Sequence, residues 1–294
     1  MQIIDAGPNQ VGESPIWDGR QHSLWWVDIE SCLIKKWNSL SGHTNHWQMP
    51  ERVACIALAQ DGRILAALEY TIVALQLAQD GQFQLQELAR LTHPATGMRF
   101  NDGRCDPSGR FWVGTMVMDM ASNRDLGGLY CLDERGLTGP HVIGLYTPNG
   151  SGFSPDGTVF YLSDSHPLRQ QVWVFDYDAQ NGALGHRKSY IDMRLRPGRP
   201  DGAAVDVHGN YWICGNDAGQ VHCFNPQGAL LKSLNVPFPK PAMCCFGGAN
   251  MDRLFVTSIV PGAGFRGDVG LSGAVVALEP GTSGMSEPRF SRFP

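Results

Sequence analysis

A chain of 294 residues, 43% hydrophobic and 17% charged, can bury a large core, and its 35 glycines and 19 prolines imply many turns rather than long helices. The net charge of −5 and pI near 6.0 arise from scattered acids and bases, so the electrostatic footprint that nucleic acid requires is missing. No apolar run approaches the roughly 18 residues of a spanning helix, and Met1 to Asn9 lacks the basic-then-apolar order of a signal peptide; the expected location is the cytoplasm, with no membrane partner.

In chain order, one pattern recurs six times: a turn, a few polar residues, then a burst of aromatic and β-branched residues. The copies are Asp18-Gly19 to Leu24-Trp25-Trp26-Val27, Asp61-Gly62 to Ile64-Leu65-Ala66, and Ser108-Gly109 to Phe111-Trp112-Val113. They continue as Asp156-Gly157 to Val159-Phe160-Tyr161-Leu162, His208-Gly209 to Tyr211-Trp212-Ile213, and Met251-Asp252 to Leu254-Phe255-Val256. From Leu24 through Ile64, Phe111, Phe160 and Tyr211 to Leu254 the intervals are 40, 47, 49, 51 and 43 residues, the period of a propeller blade. Each copy reads as a hairpin on a two-residue turn. Further strands are expected at Leu33 to Trp37, Gly128 to Leu132, Gln171 to Tyr177 and Gln220 to Asn225. The expected fold is therefore all-β, one six-bladed β-propeller domain spanning 1–294. Gly273 to Leu278 leaves the last blade a strand short, and Gln2 to Asp5 is expected to supply it and close the ring, removing exposed edges.

Ten or eleven residues before each marker, where the innermost strand of a blade begins, stand Glu13, Val53, Asn101, Asn149, Asp201 and Cys244. Four of these six are acid or amide, each in a turn-like setting, and equivalent positions in a ring converge on its axis. Carboxylates and amide oxygens form a hard donor set that suits Ca²⁺, Mg²⁺ or Mn²⁺, and Zn²⁺ also accepts oxygen.

Other residues read as structure. Asp28, Asp106 and Asp164 are expected to cap turns and strand ends, Trp17, Trp25, Trp26 and Trp112 to pack between blades, and His43 and His46 to lie on a surface loop. The eight cysteines have no paired zinc-type spacing and read as buried, reduced thiols.

The sequence resembles the gluconolactonase and regucalcin (senescence marker protein) family along nearly its full length. The resemblance rests on Gly12-Glu13-Ser14-Pro15, Arg99-Phe100-Asn101-Asp102-Gly103 with Asp106-Pro107, Gly114-Thr115-Met116, Asn149-Gly150, Phe175-Asp176-Tyr177-Asp178, Pro200-Asp201-Gly202 and Cys244-Cys245-Phe246-Gly247-Gly248. It implies a propeller holding one divalent metal ion (Ca²⁺, Zn²⁺, Mg²⁺, Mn²⁺ or Fe²⁺) on Glu13, Asn149 and Asp201. It further implies that Arg99 and Asn101 contact substrate. Asp119 is the nearest match to an acidic substrate contact in some relatives, although Val117-Met118 departs from their more acidic stretch. Glu69 is a further residue that can face the pocket from blade two.

The expected activity is metal-dependent hydrolysis of a sugar (aldono-) lactone, a small-molecule substrate, to its acid, with Asp201 as general base. The loops Met118 to Leu126 and Ser165 to Gln170 are expected to set the choice of lactone. The alternatives are a non-enzymatic metal-binding or interaction propeller, and a hydrolase of another ester, aryl ester or organophosphate.

Overall fold

The computed structural model describes residues 1–294, folded into six four-stranded antiparallel sheets. Blade one holds β2 (Gly12–Asp18), β3 (Ser23–Asp28), β4 (Leu33–Asn38) and β5 (Thr44–Gln48). Blade two holds β6 (Cys55–Leu58), β7 (Ile64–Ala67), β8 (Thr71–Leu77) and β9 (Phe83–Arg90). Blade three runs from β10 (Met98–Cys105) through β11 (Phe111–Val117) and β12 (Gly127–Asp133) to β13 (Gly136–Leu145). Blade four comprises β14 (Pro148–Phe153), β15 (Val159–Asp164), β16 (Gln171–Asp178) and β17 (Ala183–Asp192). Blade five comprises β18 (Arg199–Val205), β19 (Tyr211–Asn216), β20 (Gln220–Phe224) and β21 (Leu230–Asn235). Blade six joins β22 (Pro241–Gly247), β23 (Arg253–Ser258) and β24 (Val275–Leu278) to β1 (Gln2–Asp5), the N-terminal strand, which pairs antiparallel with β24 and closes the ring.

The innermost strands β2, β6, β10, β14, β18 and β22 contact one another in a closed cycle around the channel. Burial falls outward: every residue of β2 and β22 is buried, whereas β9 and β21 are mostly exposed. The recurring aromatics fill the layers between blades, as expected. Trp17 stacks on Phe255 across blades one and six at 5.5 Å between ring centroids, Trp112 meets Phe160 across blades three and four, and Tyr161 stacks on Tyr211 across blades four and five. All eight cysteines are free thiols.

The hairpin loops depart from the two-residue turn expected. Five residues separate the first two strands in blades two to six, and four in blade one. The first loop residue explains the longer turn in two blades: Asp106 accepts from the N–H groups of Ser108 and Arg110, and Asp206 from those of His208 and Asn210. The glycine at its apex, for example Gly109 at φ +78, supplies the left-handed residue that such a loop needs. At the opposite ends of the strands Asp28 accepts from Gln10 and Val11 and Asp164 from Tyr146 and Thr147, as the capping role requires.

After β24 the chain crosses one end of the channel as a strap. Ser283 bonds to Val207 of blade five, Glu287 pairs with Arg104 of blade three at 2.9 Å, and Phe290 bonds to Leu58 and Gln60 of blade two. Arg289 reaches Asp18 of blade one. The other end, where the innermost strands begin, is the mouth.

Candidate active site

Four polar residues predicted for the channel lie within innermost strands at the mouth end: Glu13 in β2, Asn101 in β10, Asn149 in β14 and Asp201 in β18. They are 5 to 9% exposed. The turn-like setting expected of them is not what the structure holds. Each sits at a β-bulge, since the pairing slips between Glu13 and Ile16, Phe100 and Gly103, Asn149 and Gly152, and Pro200 and Ala203. A bulge inserts one extra residue into a strand and re-aims its side chains, which is why bulges gather beside functional sites. The glycines that looked like turn markers serve blade contact. A Cβ on Gly202 would meet the Cβ of Met243 at 2.3 Å, and one on Gly150 the hydroxyl of Tyr211 at 2.4 Å. Two positions aligned with this set fall outside it: Val53 precedes β6, and Cys244 lies beyond the blade-six bulge, where its thiol packs toward Trp212.

A chain of hydrogen bonds links three blades. Arg99 Nη1 donates to Asn101 Oδ1 at 2.8 Å, and Asn101 Nδ2 donates to Asn149 Oδ1 at 3.2 Å. Asn149 Nδ2 donates to Asp201 Oδ1 at 2.8 Å and to Ser165 Oγ at 2.7 Å, while Asn216 Nδ2 donates to Asp201 Oδ2 at 2.6 Å. Glu13 enters from blade one through its charge rather than a hydrogen bond to this chain. Burial, followed by repulsion from Asp201 and Asp102, holds its carboxyl well above the usual range. Burial likewise pushes Asp201 up to about 7, opposed by Arg199 and the Asn216 bond.

Burial raises the proton affinity of both Glu13 and Asp201, and Asp201 further raises that of Glu13; a divalent cation would supply the positive charge they lack. The donor set fits such an ion. No cluster of three or more His, Cys, Asp or Glu side chains occurs; an ion here would take Glu13 and Asp201 as its anionic ligands, with amide oxygen and water completing the shell. Asn216 Oδ1, beside Asp201, is buried with no partner, as is Asp102 Oδ1. Asn149 presents its nitrogen to Asp201; ligation requires its amide turned by half a turn, so that oxygen faces inward.

These raised values set a pH dependence. In metal-free protein a carboxyl with an elevated folded pKa favours folding below its unfolded pKa, and that contribution is lost as pH rises through the folded value, about 7 for Asp201. A bound cation replaces the protons, so the gain in Tm on adding Ca²⁺ to chelated protein is expected to be small near about pH 5 and to grow toward about pH 8. A gain independent of pH across that window contradicts this assignment.

The remaining predicted residues separate. Arg99 stands next to Asn101, with Nε and Nη2 making no hydrogen bond to protein. Asp119 lies exposed in the Met118 to Leu126 loop and caps a 3-10 turn through Ala121 N, with no bond to Arg99 or Asn101. Glu69 is at the mouth but pairs with Arg52 at 2.9 Å. His166 Nε2 bonds to Met120 O at 3.0 Å, joining the two loops expected to set substrate choice. Asn216, Ser165 and Asp102 were missed. A signal for Asn216 existed: it lies fifteen residues after Asp201, as Asp28 follows Glu13 and Asp164 follows Asn149.

Buried oxygen donors converging at one end of the channel place the molecule among six-bladed propellers with a polar, cation-suited centre. The model of the SMP-30/Gluconolactonase/LRE-like region matches residues 11–260, and the chain belongs to that family. It is 34% identical to 6-deoxy-6-sulfogluconolactonase of Pseudomonas putida over 99% of this chain and 98% of that one. It is 33% identical to regucalcin of Danio rerio over 88% of this chain and 86% of that protein. Among solved structures, a regucalcin from Agrobacterium tumefaciens described as calcium-binding superposes with a TM-score of 0.89 at 26% identity, covering 99% of this chain and 97% of the other.

Proposed function

We propose that this protein hydrolyses a sugar lactone to the corresponding aldonic acid, with a divalent cation held by Glu13, Asn149 and Asp201. The observation that carries the reading is the convergence of Arg99, Asn101, Asn149 and Asp201, each within hydrogen-bond reach of the next, which sets a guanidinium with no direct carboxylate partner near the buried carboxyls of Asp201 and Glu13. When bound, the cation supplies Lewis-acid polarisation of the lactone carbonyl oxygen, a contribution of several kcal/mol.

The protein's own groups do the rest. Asn216 fixes Asp201 through Oδ2, so that Oδ1, released as the Asn149 amide turns, takes a proton from the attacking water. The water oxygen bonds to the carbonyl carbon, the ring C–O bond then breaks, and the proton returns to the departing ring oxygen. The free N–H groups of Arg99 hold the sugar hydroxyls in a fixed orientation, and the Asn101 amide adds a polar contact beside the site.

A pure cation-storage role gives no reason for an arginine with unused donors at the site. Proton release from glucono-1,5-lactone, compared with an aryl ester and a phosphotriester, tests the substrate class. Arg99→Ala is expected to raise KM for the lactone about tenfold or more, the loss of one or two charge-assisted bonds. An unchanged KM, or turnover of the phosphotriester alone, contradicts the reading.

A further inference from the structure

The mouth carries a charge pattern that a neutral polyol does not require. Arg52, Arg99, Arg199 and Lys240 stand at or just ahead of the starts of β6, β10, β18 and β22, so four of the six blades present a cation at the same level. Three carboxylates answer them. Arg52 takes two, Glu30 and Glu69, each at 2.9 Å. Arg199 of blade five and Lys240 of blade six share the third, Asp217, with Arg199 Nε at 2.7 Å from Oδ2 and the lysine on Oδ1. Arg99 has none.

Arg199 also faces the Asp201 carboxyl; with Asp201 given over to a bound cation, Asp217 alone is left between two cations, and a net positive charge remains where blades five and six meet. Arg199 and Lys240 are 23% and 20% exposed and thus partly stripped of water, which makes an uncompensated charge costly unless a ligand meets it. Asp217, held at φ +77 directly after Asn216, is the most exposed of the three at 39%. Arg199 Nη1 also bonds to Ser165 O at 3.2 Å, while Nη2 has no protein partner, and Lys240 Nζ has no partner except Asp217.

Resting on the lactonase reading above, we propose that Arg199 and Lys240 form an oxyanion subsite. It takes a lactone that carries a second, negatively charged group remote from its carbonyl: a carboxylate, sulfonate, sulfate or phosphate. The reacting carbonyl sits over Glu13, Asn149 and Asp201, and the charged substituent reaches the rim between blades five and six.

The test compares kcat/KM for glucono-1,5-lactone with that for its 6-phosphate and 6-sulfate esters, using the full-length, metal-loaded protein. The anionic lactones are expected to be favoured about tenfold or more at low salt, and the preference to shrink in about 0.5 M NaCl. Lys240→Met is expected to lower the anionic-to-neutral ratio about tenfold, and Lys240→Arg to keep most of it. Two ester types separate a general oxyanion site from one shaped for phosphate; both results support the subsite. A wild-type ratio at or below one, or a ratio unchanged by Lys240→Met, overturns the subsite and leaves the lactonase reading intact. Turnover of none of these lactones overturns both.

Discussion

Asp201→Ala is expected to abolish lactone hydrolysis, a loss of at least about 10³-fold in kcat, and Glu13→Ala to do the same. The two losses have different origins. Asp201 loses both a ligand and the group that takes the proton from water, and a positioned base alone contributes roughly 10² to 10⁴-fold. Glu13 makes no hydrogen bond to the Arg99–Asp201 chain, so its removal acts through the cation: one of only two carboxylates disappears, and affinity falls with it. The variants therefore differ in a second readout. A high concentration of whichever divalent metal activates the native chain is expected to restore part of the activity in Glu13→Ala and none in Asp201→Ala. Near-normal turnover in either variant, with metal retained, contradicts the assignment.

Phe290→Ala is expected to destabilise the protein by about 3–5 kcal/mol, the range for removing a large buried aromatic, and a urea melt of the variant checks it. Phe290 is fully buried although only four residues follow it, packing with Phe100, Phe111 and Cys55 of blades two and three. Its backbone extends blade two through a parallel bridge to Ala59. Loss of this anchor also loosens the Arg104–Glu287 pair, whose side chains are 9% and 13% exposed, and uncovers the end of the channel opposite the mouth. A change under about 1 kcal/mol means that the strap is an ornament rather than a closure.

The repeat was legible in the sequence because every blade must bury the same face against the next, and Trp25, Trp112, Tyr161, Trp212 and Phe255 mark that face at blade spacing. Ring closure was legible too, since β24 lacked a partner that Gln2–Asp5 alone could provide. The convergence of Glu13, Asn149 and Asp201 followed from their matched places in the repeat. The bulges that aim them did not, because a bulge is a pairing defect between two strands and leaves only a glycine behind as its trace. Gly150 and Gly202 were read as turn residues for that reason. Asn216 escaped notice because it replaces the capping aspartate of blades one and four, and its role depends on Asp201 lying across the blade. The strap also left no trace, since Ser283 to Pro294 carries no strand pattern and acquires its contacts only from the assembled ring.

The central claim is that a divalent cation on Glu13, Asn149 and Asp201 makes this propeller a lactonase. The measurement that tests it most directly is proton release from glucono-1,5-lactone by chelated protein, with single divalent metals added back to the native chain and to Asp201→Ala. No turnover is expected without metal, recovery in the native chain with at least one of Ca²⁺, Mg²⁺, Mn²⁺ or Zn²⁺, and no recovery in the variant. Full activity after chelation, or equal recovery in both proteins, would contradict the claim.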